Sequence, residues 1–174
     1  MMKKLIAATI MILLAAVLPA SAARWTPSVG AYAGYKADGL QDYMSSSAAI
    51  GVELDPASVS IEGHTLSLPI SFGYSPAGNE HGYVWKQAEL LFSVEARYSY
   101  RITGLLSIGA GAGIRGQWHL GTEYLSVSAG VSLIPSFRII DPLSLTIPVS
   151  FYASRNDCSL QVGIGLSFHI MEAV

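Results

Sequence analysis

Cysteine and charge are both scarce in this sequence. The 174-residue chain contains a single cysteine, Cys158, which leaves no partner for an intrachain disulfide. Only 13% of its residues are charged and the net charge is −2, whereas an ordinary soluble domain has about 25% charged residues. No long run of Lys and Arg indicates a nucleic-acid partner. The sequence is therefore neither a disulfide scaffold nor a typical nucleic-acid-binding domain.

The N-terminus has the order of a secretory signal peptide. Lys3 and Lys4 precede an apolar run from Leu5 to Leu18, and Ala20-Ser21-Ala22 supplies the small residues of a cleavage site. The alternative is a retained membrane anchor, but this run is shorter than the ~20 residues of a spanning helix. We predict that residues 1–22 are a signal peptide and that residues 23–174 form one domain.

After the predicted cleavage site, no segment shows sustained helical periodicity. Apolar and polar residues instead alternate with a period of two, which is typical of strands with two different faces. In "LLSIGAGAGIRGQW", Ile108 and Ile114 lie on the apolar face, and Arg115 lies on the polar face. The alternation predicts an all-β domain of eight strands, near residues 28–36, 43–54, 64–75, 85–101, 105–118, 123–139, 143–154 and 158–170.

Turn-forming residues separate these segments, including Ala37-Asp38-Gly39, Thr103-Gly104 and Asp141-Pro142. The connection over 55–63 fits poorly, because it is long for the side on which the other connections are tight. Three prolines fall inside predicted strands, where they cannot donate to a β-ladder. They are Pro69, Pro135 and Pro148, and bulges or strand ends at a rim are the expected way to accommodate them.

The composition of the polar face indicates which side of the closed sheet meets water. It consists mostly of Ser, Gly and Thr, and small side chains suit the narrow interior of an eight-stranded barrel. A face in bulk water has no such size limit. The few charged residues on this face carry both signs, and inside a lumen they must pair. We predict a polar lumen network of Glu53, Glu89, Glu95, Arg97, Arg115 and Arg138, with the apolar face turned to lipid.

Aromatic residues support the same orientation. They concentrate toward the strand ends, as in the two aromatic bands at membrane–water interfaces. The alternative is the general preference of aromatic residues for strands. The predicted interface aromatics are Trp25, Tyr74, Trp85, Tyr98, Tyr100, Trp118, Tyr124, Phe137 and Phe168.

Two pairs of segments repeat at the same spacing. "SVGAYAGYK" begins at residue 28 and "SIGAGAGIR" at residue 107, while "SLPISF" begins at 67 and "TIPVSF" at 146. The shared spacing suggests that four strands were duplicated to give eight. The alternative is that Gly, Ala and Ser recur in any strand of this composition.

With these features, the chain resembles the small eight-stranded outer-membrane β-barrel proteins of diderm bacteria, such as the OmpA barrel and OmpX. The resemblance covers residues from about Trp25 to Ile170. It implies an antiparallel up-and-down transmembrane barrel, located in the outer membrane, surrounded by its lipid and inserted by the barrel-assembly machinery. Members of this family often end on an aromatic strand residue, but here Phe168 is followed by six residues.

The sequence indicates no catalytic, metal or cofactor site. His81 and His119 are predicted at one rim, but no signature of the lipid A-modifying barrels accompanies them. We expect a monomeric, non-enzymatic barrel with a structural or surface-interaction role, and the loop 75–84 as its candidate contact surface. The alternatives are a narrow solute channel, a lipid A-modifying enzyme, and a secreted lipocalin-like binder of a small ligand.

Overall fold

The computed structural model describes residues 24–40, 43–80, 83–155 and 157–170. The predicted signal peptide lies outside these residues and stays a prediction. The described part of the chain is built from strands and turns, and it contains no helix that is long and apolar enough to cross a membrane.

Within the described residues, fourteen strand segments follow one another. The long ones are continuous, and four of the barrel strands are each divided into two segments. The bounds are β1 Arg24–Trp25, β2 Ser28–Leu40, β3 Tyr43–Asp55, β4 Val59–Ile61, β5 His64–Ser67, β6 Ile70–Ser75, β7 Gly78–Glu80, β8 Tyr83–Lys86, β9 Glu89–Arg101, β10 Leu106–His119, β11 Tyr124–Ile140, β12 Leu143–Thr146, β13 Val149–Ala153 and β14 Asp157–His169.

The sheet closes on itself. β2 pairs antiparallel with β3 on one side and with β14 on the other, so the first and last barrel strands are neighbours. The predicted eight-stranded antiparallel barrel is confirmed. The stagger of the barrel follows from tracing ladder partners from strand to strand around it. The trace starts at Leu91 on β9 and returns to β9 at Arg101, ten residues further along. The partners on the way are Gly73, Gly51, Tyr32, Gly165, Thr146, Ser136 and Ser107. This stagger tilts the strands by roughly 40° from the barrel axis.

The connection over 55–63 is not a long loop. Leu54 pairs with Ile70, and Val59 pairs with Leu66. The first strand advances five residues between these two pairs and its partner only four, so the first strand contains a one-residue β-bulge, and β4 continues the strand of β3. The true turn is Glu62-Gly63, where φ is 48° and 89°. Positive φ at both central residues is typical of tight hairpin turns. The poor fit found in the sequence therefore disappears, and this end of the barrel carries tight turns.

The strand prolines are accommodated without bulges, contrary to the expectation. Ser67 pairs with Arg97 and Ile70 with Val94, so the register runs through Pro69 unchanged. Each proline carbonyl still accepts a ladder hydrogen bond. Pro69 accepts from Glu95 at 3.1 Å, and Pro135 and Pro148 each accept one at 2.9 Å, from the backbone N–H groups of Ile147 and Gly163. Each proline thus removes one donor and keeps the acceptor on the same side.

Two other expectations from the sequence are wrong. Ala37-Asp38-Gly39 does not form a turn, because β2 runs on to Leu40 and stays paired with β14. The strand predicted over 85–101 begins at Glu89, and Tyr83–Lys86 instead pairs with Gly78–Glu80 in a small hairpin. The remaining strands agree with the predicted ranges to within a few residues.

The two faces of the barrel differ sharply in polarity. Val131 and Ile114 point outward and are each 58% exposed, whereas Ser132 and Arg115 point inward and are 7% and 6% exposed. The same alternation runs along β9, β10, β11 and β14. An apolar outer belt around a polar interior suits lipid and is the reverse of a water-soluble lipocalin-like barrel.

Candidate functional site in the barrel lumen

The centre of the lumen is organised around Glu95. One of its carboxylate oxygens accepts hydrogen bonds from Ser132 Oγ at 2.9 Å and from Arg97 Nη2 at 3.2 Å. The other accepts a short hydrogen bond from the Tyr152 hydroxyl. Arg97 also binds Glu53 in a bidentate pair, with N–O distances of 2.7 and 2.8 Å. Because the charges are both paired and hydrogen-bonded, the cluster offsets the cost of removing them from water.

Arg115 lies next to this cluster. Its guanidinium stacks on the Tyr152 ring, with the Cζ atom 3.7 Å from the ring centroid. A Cβ on Gly130 would lie 2.5 Å from the Tyr152 ring, so this ring needs a glycine beneath it. Tyr32 similarly covers Gly51 and would meet a Cβ there at 2.6 Å. The lumen glycines therefore make room for rings that fill the interior.

A second cluster closes the end of the lumen at which β9 begins and β10 ends. The Lys36 ammonium lies 2.6 Å from Glu89 Oε2 and 3.0 Å from Asp38 Oδ1. His119 Nδ1 lies 3.1 Å from the other Glu89 oxygen. The Lys36 side chain is fully buried and that of Glu89 is 3% exposed. We call these four residues the loop-end cluster.

The opposite end, which carries the turns Glu62-Gly63 and Thr103-Gly104, is open. A cavity of about 720 Å³ enters the lumen from this side, and the Arg97–Glu53 pair lines its inner part. Arg138 lies at its mouth, 3.1 Å from Asp141, in a pair that is 34% and 61% exposed. We call this space the turn-end cavity.

The six residues predicted for the lumen network thus fall into three places. Glu53, Glu95 and Arg97 form one hydrogen-bonded unit, and Arg115 reaches it through Tyr152. Glu89 belongs to the loop-end cluster, and Arg138 lies at the opposite mouth.

The predicted interface aromatics point away from the lumen wherever their side chains are described. Tyr74, Trp118 and Tyr124 lie toward the loop end, and their side chains are exposed on the outer surface, as are Trp25, Tyr98, Tyr100, Phe137 and Phe168 at the turn end. The side chain of Trp85 lies outside the described set. Phe72, Phe92 and Phe151 also lie on the outer face, so aromatic residues are not confined to the positions chosen from the sequence.

The described histidines do not form a catalytic arrangement with a serine and an acid. His119 is engaged by Glu89 on the lumen side, and His64 Nδ1 lies 2.6 Å from the Tyr98 hydroxyl on the outer face. His169 Nε2 is 3.4 Å from Ser144 Oγ, but the nearby Asp141 carboxylate pairs with Arg138. His81 lies outside the described residues. Among those described, no group of three metal-ligating side chains comes together.

Sequence reasoning missed several residues that matter in the lumen. Lys36 and Asp38 belong to the loop-end cluster, but the sequence pattern assigns no role to Lys36 and predicts a turn at Asp38. Tyr32 and Tyr152 fill the interior, but neither is among the six residues predicted for the lumen network. The parity of the strands could have placed Lys36 inside, because it shares a face with Gly30 and Gly34.

Comparison with solved structures supports the same architecture. Neisserial surface protein A superposes with a TM-score of 0.58 at 12% identity, covering 83% of this chain and 99% of that one. Ail, the attachment invasion locus protein of Yersinia pestis, solved with the heparin analogue sucrose octasulfate, gives 0.55 at 14% identity, covering 83% and 98%. The outer-membrane enzyme PagL gives 0.51 at 18% identity, covering 82% and 99%. The chain therefore has the fold of small outer-membrane β-barrels.

No protein-family model matches the sequence, and neither does any curated protein. The fold is shared by surface proteins and by an enzyme, so it does not by itself assign a role.

Proposed function

We propose that this protein is an integral, non-conducting outer-membrane barrel with a structural or surface-interaction role. The observation that carries the proposal is the paired, ring-filled section of the lumen between the loop-end cluster and the Arg97–Glu53 pair. Glu95, Tyr152 and Arg115 contact one another across this section. Eight strands enclose an interior only just wide enough for side chains, so such contacts leave no continuous path for solutes.

The beginning of the first barrel strand and the end of the last one support an orientation in the membrane. Arg24 and Ile170 both lie at the turn end, where the Ile170 N–H donates to the Pro27 carbonyl at 2.8 Å. Outer-membrane barrels place their short turns on the periplasmic side. The turn-end cavity then faces the periplasm, and the hairpin of β7 and β8 faces the cell exterior.

Conductance measurements test whether the lumen is closed. The refolded barrel should give no stable current steps in a planar lipid bilayer, while a general porin under the same conditions does. Stable single-channel steps from the purified protein would favour the narrow-channel alternative. Fractionation tests the location separately, because an outer-membrane barrel is recovered in the outer membrane and migrates differently in gels before and after heating.

The hairpin of Gly78–Glu80 and Tyr83–Lys86 is the best candidate for a contact surface. It forms a separate two-stranded sheet beyond the barrel strands, and loops held on a rigid scaffold commonly carry binding. Ail, whose structure holds a heparin analogue, motivates the choice of a heparin-coated surface for the assay.

The test compares cells that express the full barrel with cells whose barrel has residues 77–87 replaced by a two-residue turn. Equal amounts of heat-modifiable protein in the outer membrane establish that both barrels insert. Attachment that falls with the shortened hairpin supports a surface-interaction role. Unchanged attachment leaves the structural role as the function of this barrel.

A further inference from the structure

The turn-end cavity has the dimensions of a ligand site. Its volume of about 720 Å³ falls within the range of roughly 300–1,000 Å³ that small-molecule sites occupy. The cavity ends at the Arg97–Glu53 pair, beyond which side chains fill the lumen. A space that is open at one end and closed at the other is suited to holding a molecule rather than passing it.

Hydroxyl groups cover much of the cavity wall. On β4 and β5 they form a connected chain, in which Ser60 Oγ lies 2.8 Å from Thr65 Oγ1 and 3.1 Å from Thr26 Oγ1. A hydroxyl can donate or accept a hydrogen bond as its neighbour requires. Such a wall is matched by a ligand that itself carries several hydroxyl groups.

Two buried polar atoms in residues that line the inner part of the cavity have no hydrogen-bond partner within the described part of the chain. They are Arg97 Nε and Asp55 Oδ1. Both residues line the cavity, as does Ser67, which pairs with Arg97 in the sheet. Buried polar atoms are nearly always satisfied, so each of these two atoms calls for a further hydrogen-bond partner, and both belong to residues that line the cavity.

The mouth of the cavity favours an anion. Its lining includes Arg24, Arg101 and Arg138, and of these only Arg138 forms an ion pair within the described residues. The Glu53 carboxylate is already engaged by Arg97. Unpaired guanidinium groups bind carboxylates and phosphates through several N–H donors.

We propose that the turn-end cavity binds a small polyhydroxylated organic anion, with its charge at Arg24 and Arg101 and its hydroxyls on the Ser60–Thr65 wall. The chemistry is that of a sugar acid or a sugar phosphate. Inside, the ligand donates a hydroxyl hydrogen bond to Asp55 and accepts one from Arg97 Nε. This binding does not depend on what the outer hairpin contacts.

Calorimetric titration of the refolded full barrel in detergent micelles tests the proposal. The probes are galacturonate and glucose 6-phosphate, with neutral glucose and cationic glucosamine as controls. Both anions should bind more tightly than the two controls, and their relative affinities distinguish a carboxylate from a phosphate ligand. If neither anion binds, or if glucosamine binds as well as they do, the proposal is wrong.

Matched variants locate the site. Arg24→Gln with Arg101→Gln should raise the Kd of both anions about tenfold, a change of about 1.4 kcal/mol. Arg155→Gln, an exposed arginine at the opposite end, should leave it unchanged. Thr65→Val should weaken binding of the sugar anions but not of inorganic phosphate, which lacks the hydroxylated body. Equal Kd values for the native barrel and the double variant would rule out binding at this mouth.

Failure of this proposal and failure of the proposed function are separable. A barrel that conducts current can still bind anions at the turn end, and a closed barrel can fail to bind them. Conductance reports the first property, and the titration reports the second.

Discussion

The two ends of the lumen carry the same kinds of residue in opposite physical settings. At the loop end, Lys36 and Glu89 are paired in side chains that are 0% and 3% exposed. At the turn end, Arg138 and Asp141 are paired at 3.1 Å but are 34% and 61% exposed. Desolvation makes a buried pair intolerant of losing one member, whereas an exposed pair contributes little. Substitutions in the loop-end cluster should therefore destabilise the barrel, whereas the charged residues at the turn end can be replaced at little cost in stability.

Loss of Lys36 should have the largest effect. Lys36→Met leaves the carboxylates of Glu89 and Asp38 buried without their shared cation, which should lower the free energy of unfolding by about 3–5 kcal/mol. Urea unfolding in lipid vesicles, followed by tryptophan fluorescence, measures the change. Arg155→Met, an exposed cation at the same end, is the control and should have little effect. A loss below about 1 kcal/mol for Lys36→Met would make the two ends energetically alike.

A charge introduced on the outer face tests whether this face meets lipid. Val131 lies midway along β11 and is 58% exposed, and Ile140 ends the same strand. Val131→Arg should cost about 2–4 kcal/mol because the charge meets the acyl chains, while Ile140→Arg near the interface should cost about 0–1 kcal/mol. Unfolding of both variants in the same vesicles provides the comparison. Equal costs would mean that the outer belt does not meet the hydrocarbon core.

The ring-filled section should also depend on its glycines. A Cβ at Gly51 would lie 2.5 Å from the Phe72 carbonyl oxygen and 2.6 Å from the Tyr32 ring, whereas at Gly104 it would meet nothing within 4 Å. Overpacking of this kind typically costs about 1–3 kcal/mol. Gly51→Ala should therefore lower the urea midpoint measurably, and Gly104→Ala should not. If both variants unfold like the native protein, the interior is less tightly filled than these contacts indicate.

The sequence predicts the barrel well because alternation records which side of each strand is buried. Val131 and Ser132 are assigned to opposite faces from their positions in one strand alone, without information about the neighbouring strands. Pairing partners are different, since Lys36 and Glu89 are 53 residues apart and meet only through the ten-residue stagger around the barrel. The stagger depends on every strand register at once, so the loop-end cluster could not be assembled from local patterns.

The misplaced turn at Ala37-Asp38-Gly39 has a similar cause. These residues have turn chemistry, but the ladder with β14 continues through all three of them. Asp38 then points into the lumen and reaches Lys36. The connection over 55–63 shows the reverse case, because a bulge that keeps β4 in line with β3 cannot be distinguished from a loop without its partner strand.

The two prolines at corresponding positions of the sequence repeat also lie at corresponding positions in the barrel. Pro69 and Pro148 interrupt the third and seventh barrel strands at equivalent points, each accepting one ladder hydrogen bond from the strand that follows. The correspondence agrees with the duplication suggested by the shared sequence spacing. It also shows that a closed barrel accepts proline where only one donor is lost.

The smallest effect is expected at the turn-end mouth. Arg138→Gln removes the pair with Asp141, and because both side chains remain in contact with water, the free energy of unfolding should change by less than about 1 kcal/mol. The informative measurement is urea unfolding of Arg138→Gln and Lys36→Met side by side in identical vesicles. A cost for Arg138→Gln as large as that for Lys36→Met would mean that the mouth is part of the stabilising core. A negligible cost would leave this end free to vary its charges, as a binding site requires.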